Sequence, residues 1–322
     1  MKFFAKKTLR GLVLAVASLS VLPGSEISVA QVRDLYRIEI PPGETLKSFF
    51  RYTPGRIPFV STHRGGVRQG FPENSIATFE NTLRNTWSIL EIDPRYTKDS
   101  VIILMHDATL ERTSTGTGKV ADHTFEQIRK LRLKDVNGDV TKENIPTLDE
   151  AIRWARNKTV LVVDQKDVPV EARVKKIQEH RAQSWVALIV YSLEDAKKCY
   201  SLDPDIVMEL MVPDKKAMSD IENAGIPWQN VVAFVTHTTP KDAGIFRELH
   251  DKGVMCIRGS SRTIDKEYTE GKITGRKALF ERYREMVASG TDIIEADLGI
   301  EAGEALRKPI KKNSGKSQFF VR

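Results

Sequence analysis

The chain has 322 residues, with 50 Lys and Arg against 43 Asp and Glu, a formal net charge of +7 and two cysteines. That length can bury a full core as one α/β barrel or as two smaller domains. The charge surplus is too mild for a nucleic-acid binder, and two cysteines are too few for a disulfide scaffold.

In chain order, the first thirty residues run from basic (MKFFAKKTLR) through apolar (GLVLAVASLSVL) to small (PGSEISVA), the order of a secretory signal peptide. Cleavage is expected after Ala30, which gives a secreted or periplasmic protein. The apolar run over 11–22 is too short to span a bilayer comfortably, so no stable membrane insertion is expected after cleavage. Its removal takes away Lys2, Lys6, Lys7, Arg10 and Glu26 and leaves a net charge of +4. Residues 31–55 read as an N-terminal extension, 56–306 as the main domain and 307–322 as a loosely held tail. Cys199 falls in a helix-like stretch and Cys256 in a strand-like one, and whether they pair is open at this level.

Apolar, β-branched runs recur at 57–62, 89–95, 101–106, 159–164, 186–191, 206–211, 231–236, 254–258 and 293–297. Helix-like segments lie between most of them: 75–86, 147–157, 170–181, 193–200, 242–253 and 277–290. Strand then helix, repeated about eight times, predicts a (β/α)8 TIM barrel, whose working residues gather at the C-terminal strand ends. The ninth run is surplus. Only 96–100 separate 89–95 from 101–106, too few residues for a helical crossover, so these two runs are expected to form a hairpin. A turn centred on Lys98 and Asp99 pairs positions whose numbers sum to about 197, setting Glu91 opposite His106.

Three strand ends carry chemistry. PFVST runs into His63, Arg64, Gly65 and Gly66: a titratable ring, an anion clamp and a permissive backbone that suits an anionic ligand. The glycines are expected to keep Cβ atoms away from that ligand. Glu91 and Asp93 share one strand face, an arrangement that favours a hard divalent cation between them. TVLVVDQK ends an apolar strand with Asp164 and, two residues on, Lys166. Glu73 and Asn74 are expected to organise the loop after the first strand. Asp107 either orients His106 or caps a turn, and His237, Glu295 and Asp297 stand at further strand ends.

HRGG, FPENS, the helix with Ala77 and Phe79, EIDPRYTKD, VIILMHDATLERTSTGTGKV, IPTLDEAI and VVDQK, in that order, resemble the glycerophosphodiester phosphodiesterases. The match covers His63 to Lys166. The resemblance implies a barrel over 56–306 with an insertion at about 108–147, after the strand that carries the second histidine. It also implies hydrolysis of a small glycerophosphodiester to sn-glycerol 3-phosphate and an alcohol, with Ca²⁺ or Mg²⁺ as cofactor. By position, His63 and His106 match the family's acid/base pair, Glu91, Asp93 and Asp164 its metal ligands, and Arg64 and Lys166 its phosphate-contacting cations. Asp164 stands where the family usually has Glu. Cys256-Ile257-Arg258-Gly259 and Glu295-Ala296-Asp297-Leu298 depart from its usual strand ends, so the alcohol is open. Two other readings stay in view: a phospholipase D-like activity on lysophospholipids or sphingomyelin, which an apolar rim at the mouth would favour, and a non-catalytic phosphate- or polyol-binding barrel.

Overall fold

The computed structural model describes Met1, residues 34–307 and residues 314–322. The signal-peptide reading falls, Met1 aside, outside the described residues. Twelve strands are described in chain order: β1 (Arg37–Ile38), β2 (Phe59–Thr62), β3 (Ser88–Ile92), β4 (Pro94–Tyr96), β5 (Ile102–Leu104), β6 (Leu161–Val163), β7 (Val186–Val190), β8 (Met208–Met211), β9 (Val231–Thr236), β10 (Cys256–Gly259), β11 (Ile293–Ala296) and β12 (Phe320–Val321). Eight of them close a barrel in the order β2-β3-β6-β7-β8-β9-β10-β11, and every neighbouring pair is parallel. Helices cross between most of these strands, as the alternation in the sequence predicts. The outward strand residues pack on their apolar faces, for example Leu90, Leu161 and Leu188 against Phe79, Ile152 and Ile177.

The surplus run is the hairpin, β4 against β5, outside the barrel. Its ladder pairs Pro94 with Leu104 and Tyr96 with Ile102, one step away from the expected register, and it ends there. Glu91 therefore does not face His106 across a ladder. Glu91 belongs to barrel strand β3, and the next backbone bond after the ladder runs from Met105 N–H to the Asp93 carbonyl at 2.8 Å. Residues 105–147 then fold over the mouth on a small core of their own, with Met105, Leu110, Val120, Ile128, Leu133 and Ile145 all buried.

Side chains alternate along each strand, so the inward residues stack in layers. The lower layers are apolar, with Phe59, Ile89, Val162, Ala187, Val232, Ile257 and Ile293 in one cluster. The floor beneath them is made by both chain ends. Phe49, on the helix Leu46–Phe50, packs 5.3 Å from Phe59 and 5.3 Å from Phe319, and β1 pairs antiparallel with β12. The loosely held tail is thus corrected for residues 314–322. Phe319 is fully buried, and buried Lys316 donates to the Phe49 carbonyl at 2.8 Å, because an open barrel bottom exposes apolar surface that something must cover. Cys199 and Cys256 are both buried and free. No helix among the described residues is long and apolar enough to cross a membrane.

Candidate active site

The upper inward layer is acidic. Glu91, Glu209 and Glu295 are buried on β3, β8 and β11, and Asp93, Asp164 and Asp297 follow at or just past the ends of β3, β6 and β11. His63 stands just past β2, where the chain makes a single tight turn, His63–Gly65, with Arg64 at φ 52° and Gly66 at φ 102°. The glycines serve the packing behind the turn. A Cβ on Gly65 would lie 2.3 Å from the Phe79 ring, and one on Gly66 would lie 2.5 Å from Thr82 Oγ1, so the helix Ile76–Asn85 demands both glycines. The turn aims Arg64 N–H at Glu91 Oε2, 2.8 Å away.

Oxygens of Glu91, Asp93 and Asp164 all lie within 4.8 Å of one another, and all three residues are buried. Lys166 reaches back between two of them, its Nζ 3.0 Å from Asp93 Oδ1 and 2.5 Å from Asp164 Oδ2. Asn74 brackets Asp93, its Nδ2 donating to Oδ2 at 2.6 Å and its Oδ1 accepting the Asp93 N–H at 3.0 Å. Tyr191 donates its hydroxyl to Asp164 Oδ1 at 2.6 Å. Burial first, then the charge of Asp93, pushes Glu91 well above the usual carboxylate range, with His63 opposing. Burial likewise raises Glu209, and brings Glu295 up to about 7. Burial also works against the charge on Asp164, but bonds from Lys166 and Tyr191 outweigh it and hold this group low. Three hard oxygen donors, crowded and short of positive charge, are a donor set that a divalent cation fits.

The two candidate histidines each rest on an aspartate. His63 Nδ1 lies 2.6 Å from Asp297 Oδ1, with its Nε2 3.9 Å from Glu91 Oε2. Burial disfavours the charged ring, yet the Asp297 bond and the charges of Glu91 and Glu295 override it and push His63 up to about 10. His106 Nδ1 lies 2.7 Å from Asp107 Oδ1, and its carbonyl accepts the Arg95 guanidinium at 2.9 and 2.8 Å. Arg112, from the insertion, forks onto Asp107 at 2.6 and 2.9 Å and onto Glu73 at 2.9 and 2.8 Å. Glu73 in turn accepts Arg64 Nη1 at 3.1 Å. One chain of ion pairs therefore links His106 to Arg64. Arg112 holds Asp107 far below the usual carboxylate range, and Glu73 is also held low, its burial outweighed by Arg112 and Arg64.

Every site residue read from the sequence lies in or on this network. Lys166 sits among the carboxylates, and Arg64 is tied to Glu73. Asp297, Glu209, Tyr191 and Arg112 complete the site. Asp297 was legible in Glu-Ala-Asp, which repeats the spacing of Glu-Ile-Asp, and Glu209 is a lone acid in the apolar run IVMELM. Tyr191 carries no such signal. His63, Arg64, Arg112, Lys134 and Asp297 line a cleft of about 570 Å³ between the mouth and the insertion.

A closed parallel barrel with acids, histidines and cations gathered at its C-terminal strand ends has the layout of a barrel enzyme. The family model described as "Glycerophosphoryl diester phosphodiesterase family" matches residues 63–252, and the chain belongs to that family. A crystal structure of a glycerophosphoryl diester phosphodiesterase from Parabacteroides distasonis superposes with a TM-score of 0.83 at 43% identity, over 89% of this chain and 99% of that one. Bovine glycerophosphodiester phosphodiesterase 1 is 41% identical over 106 residues, 31% of either chain. The mouse enzyme of that name is 31% identical over 175 residues, 52% of this chain and 48% of its own. The chain thus spans a third to a half of the length of these mammalian relatives. An Oleispira antarctica phosphodiesterase, solved in complex with the product sn-glycerol-3-phosphate, shares the fold at 18% identity and a TM-score of 0.56, over 78% of this chain and 97% of that one.

Proposed function

We propose that this protein hydrolyses glycerophosphodiesters to sn-glycerol 3-phosphate and an alcohol, with a divalent cation held by Glu91, Asp93 and Asp164 and with His63 and His106 as the acid/base pair. The observation that carries the reading is the pair of histidine–aspartate contacts at one barrel mouth, 2.6 Å for His63 and 2.7 Å for His106. A binding site alone has no need of two oriented proton carriers.

An imidazole whose Nδ1 is held by a carboxylate is left with its Nε2 to take or give a proton. One histidine deprotonates the attacking hydroxyl or water, and the other protonates the departing alkoxide. Arg64 stands beside them as the cation for the phosphate oxygens. Once bound, the cation would supply Lewis-acid polarisation of the phosphoryl group. Lys166 offsets part of the acidic charge and holds Asp93 and Asp164 in place. Acting outside the cytoplasm, the enzyme would meet diesters released from phospholipids.

Release of glycerol 3-phosphate from glycerophosphocholine, glycerophosphoethanolamine and glycerophosphoinositol, before and after chelation, tests the reading. Turnover should vanish with chelator and return with Ca²⁺ or Mg²⁺. A fully chelated sample working at full rate would rule out the metal, and a wild type that cleaves none of the three would rule out the activity. Mass spectrometry of protein from the native host should find a mature N-terminus at or close to Gln31, and an intact Met1 would overturn the export reading.

A further inference from the structure

Behind the contact between His63 and Asp297 lies another buried carboxylate, Asp265, which is 1% exposed and has no part in the proposed chemistry. Its hydrogen-bond partners are all neutral. Tyr283, on the helix Arg276–Ala288, donates its hydroxyl to Oδ1 at 2.6 Å, and Ser260 Oγ stands 3.0 Å from Oδ2. The Asp297 N–H reaches the same Oδ2 at 2.7 Å and the Leu298 N–H, more loosely, at 3.4 Å. A carboxylate buried among neutral donors is costly, and burial raises its pKa against the bonds from Tyr283 and Ser260. The backbone also bends unusually to put it there. Ser261–Asp265 makes one π turn, in which the Asp265 N–H reaches the Ser260 carbonyl at 3.2 Å, a rare geometry that recurs at functional sites. Ser260 N–H in turn donates to the Glu295 carbonyl at 2.8 Å. Asp297 and Leu298 lie between β11 and the helix Gly299–Leu306, so Asp265 supplies the acceptor that their N–H groups need.

We propose that Asp265 is a positioning residue for His63: by fixing the main chain at Asp297 it sets where the Asp297 carboxylate stands, and through it the orientation of the ring. The proposal rests on the acid/base reading of His63 and deepens it. A contact of 2.6 Å between Asp297 Oδ1 and His63 Nδ1 tolerates little drift of the strand end, and Asp265 ties that end to Tyr283 on a neighbouring helix. Asn cannot take its place. One acceptor oxygen cannot serve the phenol on one side and the N–H groups on the other, and the NH2 group needs an acceptor where this site presents donors.

Two readouts test this, one of them independent of turnover. In glycerophosphocholine hydrolysis with Ca²⁺ or Mg²⁺ present, Asp265→Asn should lower kcat about tenfold and leave KM within about twofold. On an Asp297→Asn background the same change should cost no more than about a further twofold, because its effect passes through that carboxylate. Proton NMR of the protein without substrate reads the geometry itself. The hydrogen-bonded Nδ1 proton of His63, assigned by its absence from His63→Ala, should move upfield and exchange faster with water in Asp265→Asn. If Asp265→Asn folds with normal kcat and an unmoved Nδ1 proton, the proposal is wrong and the hydrolase reading stands. A kcat loss that multiplies in full on the Asp297→Asn background would also overturn it, since Asp265 would then act by another route. If the proton moves but the wild type cleaves no diester, the placement of the ring stands and the hydrolase reading falls. Should Asp265→Asn not fold, Tyr283→Phe and Ser260→Ala each remove one bond to the carboxylate and should give smaller losses of the same kind. Both of these variants folded, with kcat and the proton unchanged, would overturn the proposal equally.

Discussion

Asp297 Oδ1 lies 2.6 Å from His63 Nδ1, joining the residue just past β11 to the residue just past β2 across the seam where the barrel closes. Its carboxylate is held low by that contact despite burial, and its N–H is anchored on Asp265 Oδ2 at 2.7 Å. The ring is therefore oriented by the closure of the fold itself.

Replacing Asp297 with Asn should cut kcat by about 10²-fold or more, because His63 loses both its tautomer and its orientation. The same change removes charge that stabilises the imidazolium, so the His63 pKa should move down from about 10 toward its ordinary value. An NMR pH titration of the His63 ring reads this directly.

Arg112 is the equivalent support for His106, through Asp107. Arg112→Lys keeps the charge and loses the double fork. Asp107 should then rise toward the usual carboxylate range and protonate at higher pH, so the acid limb of the kcat profile should shift upward while kcat at its plateau falls about tenfold. A pH–rate profile of wild type and variant checks it.

Much of this site was legible in the sequence, and the reason is that strand alternation is local. Glu91-Ile92-Asp93 and Asp164-x-Lys166 declare an inward acidic layer from spacing alone, as does the strand–helix count for the barrel. The partnerships were not legible where they cross the fold. Asp297 meets His63 from 234 positions away, and Arg112 reaches Glu73 from 39 positions away. The floor was missed for the same reason. KSQFFVR looks like a tail until Phe319 is placed beside Phe49, which only closure of the barrel brings about. The hairpin was found, but its one-residue slip in register moved the expected partner of Glu91.

Phe319→Ala tests that floor. The side chain is buried against Phe49, so the cavity should cost about 3–5 kcal/mol, read as a lowered denaturation midpoint. Below its melting range the variant should keep its kcat, since the floor lies at the opposite end of the barrel from the mouth.

Glu73 gives stability a defined pH dependence. Its folded pKa is depressed, so the stability it contributes is fully present above the unfolded value of about 4.3 and is lost as pH falls through the lower folded value. Glu73→Gln should lose about 2 kcal/mol at neutral pH, through its bonds to Arg112 and Arg64, and should lose less than wild type on further acidification. Urea denaturation at several pH values between neutral and acid measures both effects.

The central claim is that His63 and His106 are the acid and the base, and single-turnover hydrolysis of glycerophosphocholine by His63→Ala and His106→Ala, with cation present, tests it most directly. Both variants should bind glycerol 3-phosphate and cation much as wild type does, and each should turn over about 10²-fold more slowly or worse. A near-normal rate in either variant would mean that this histidine is structural and that the two-histidine account is wrong.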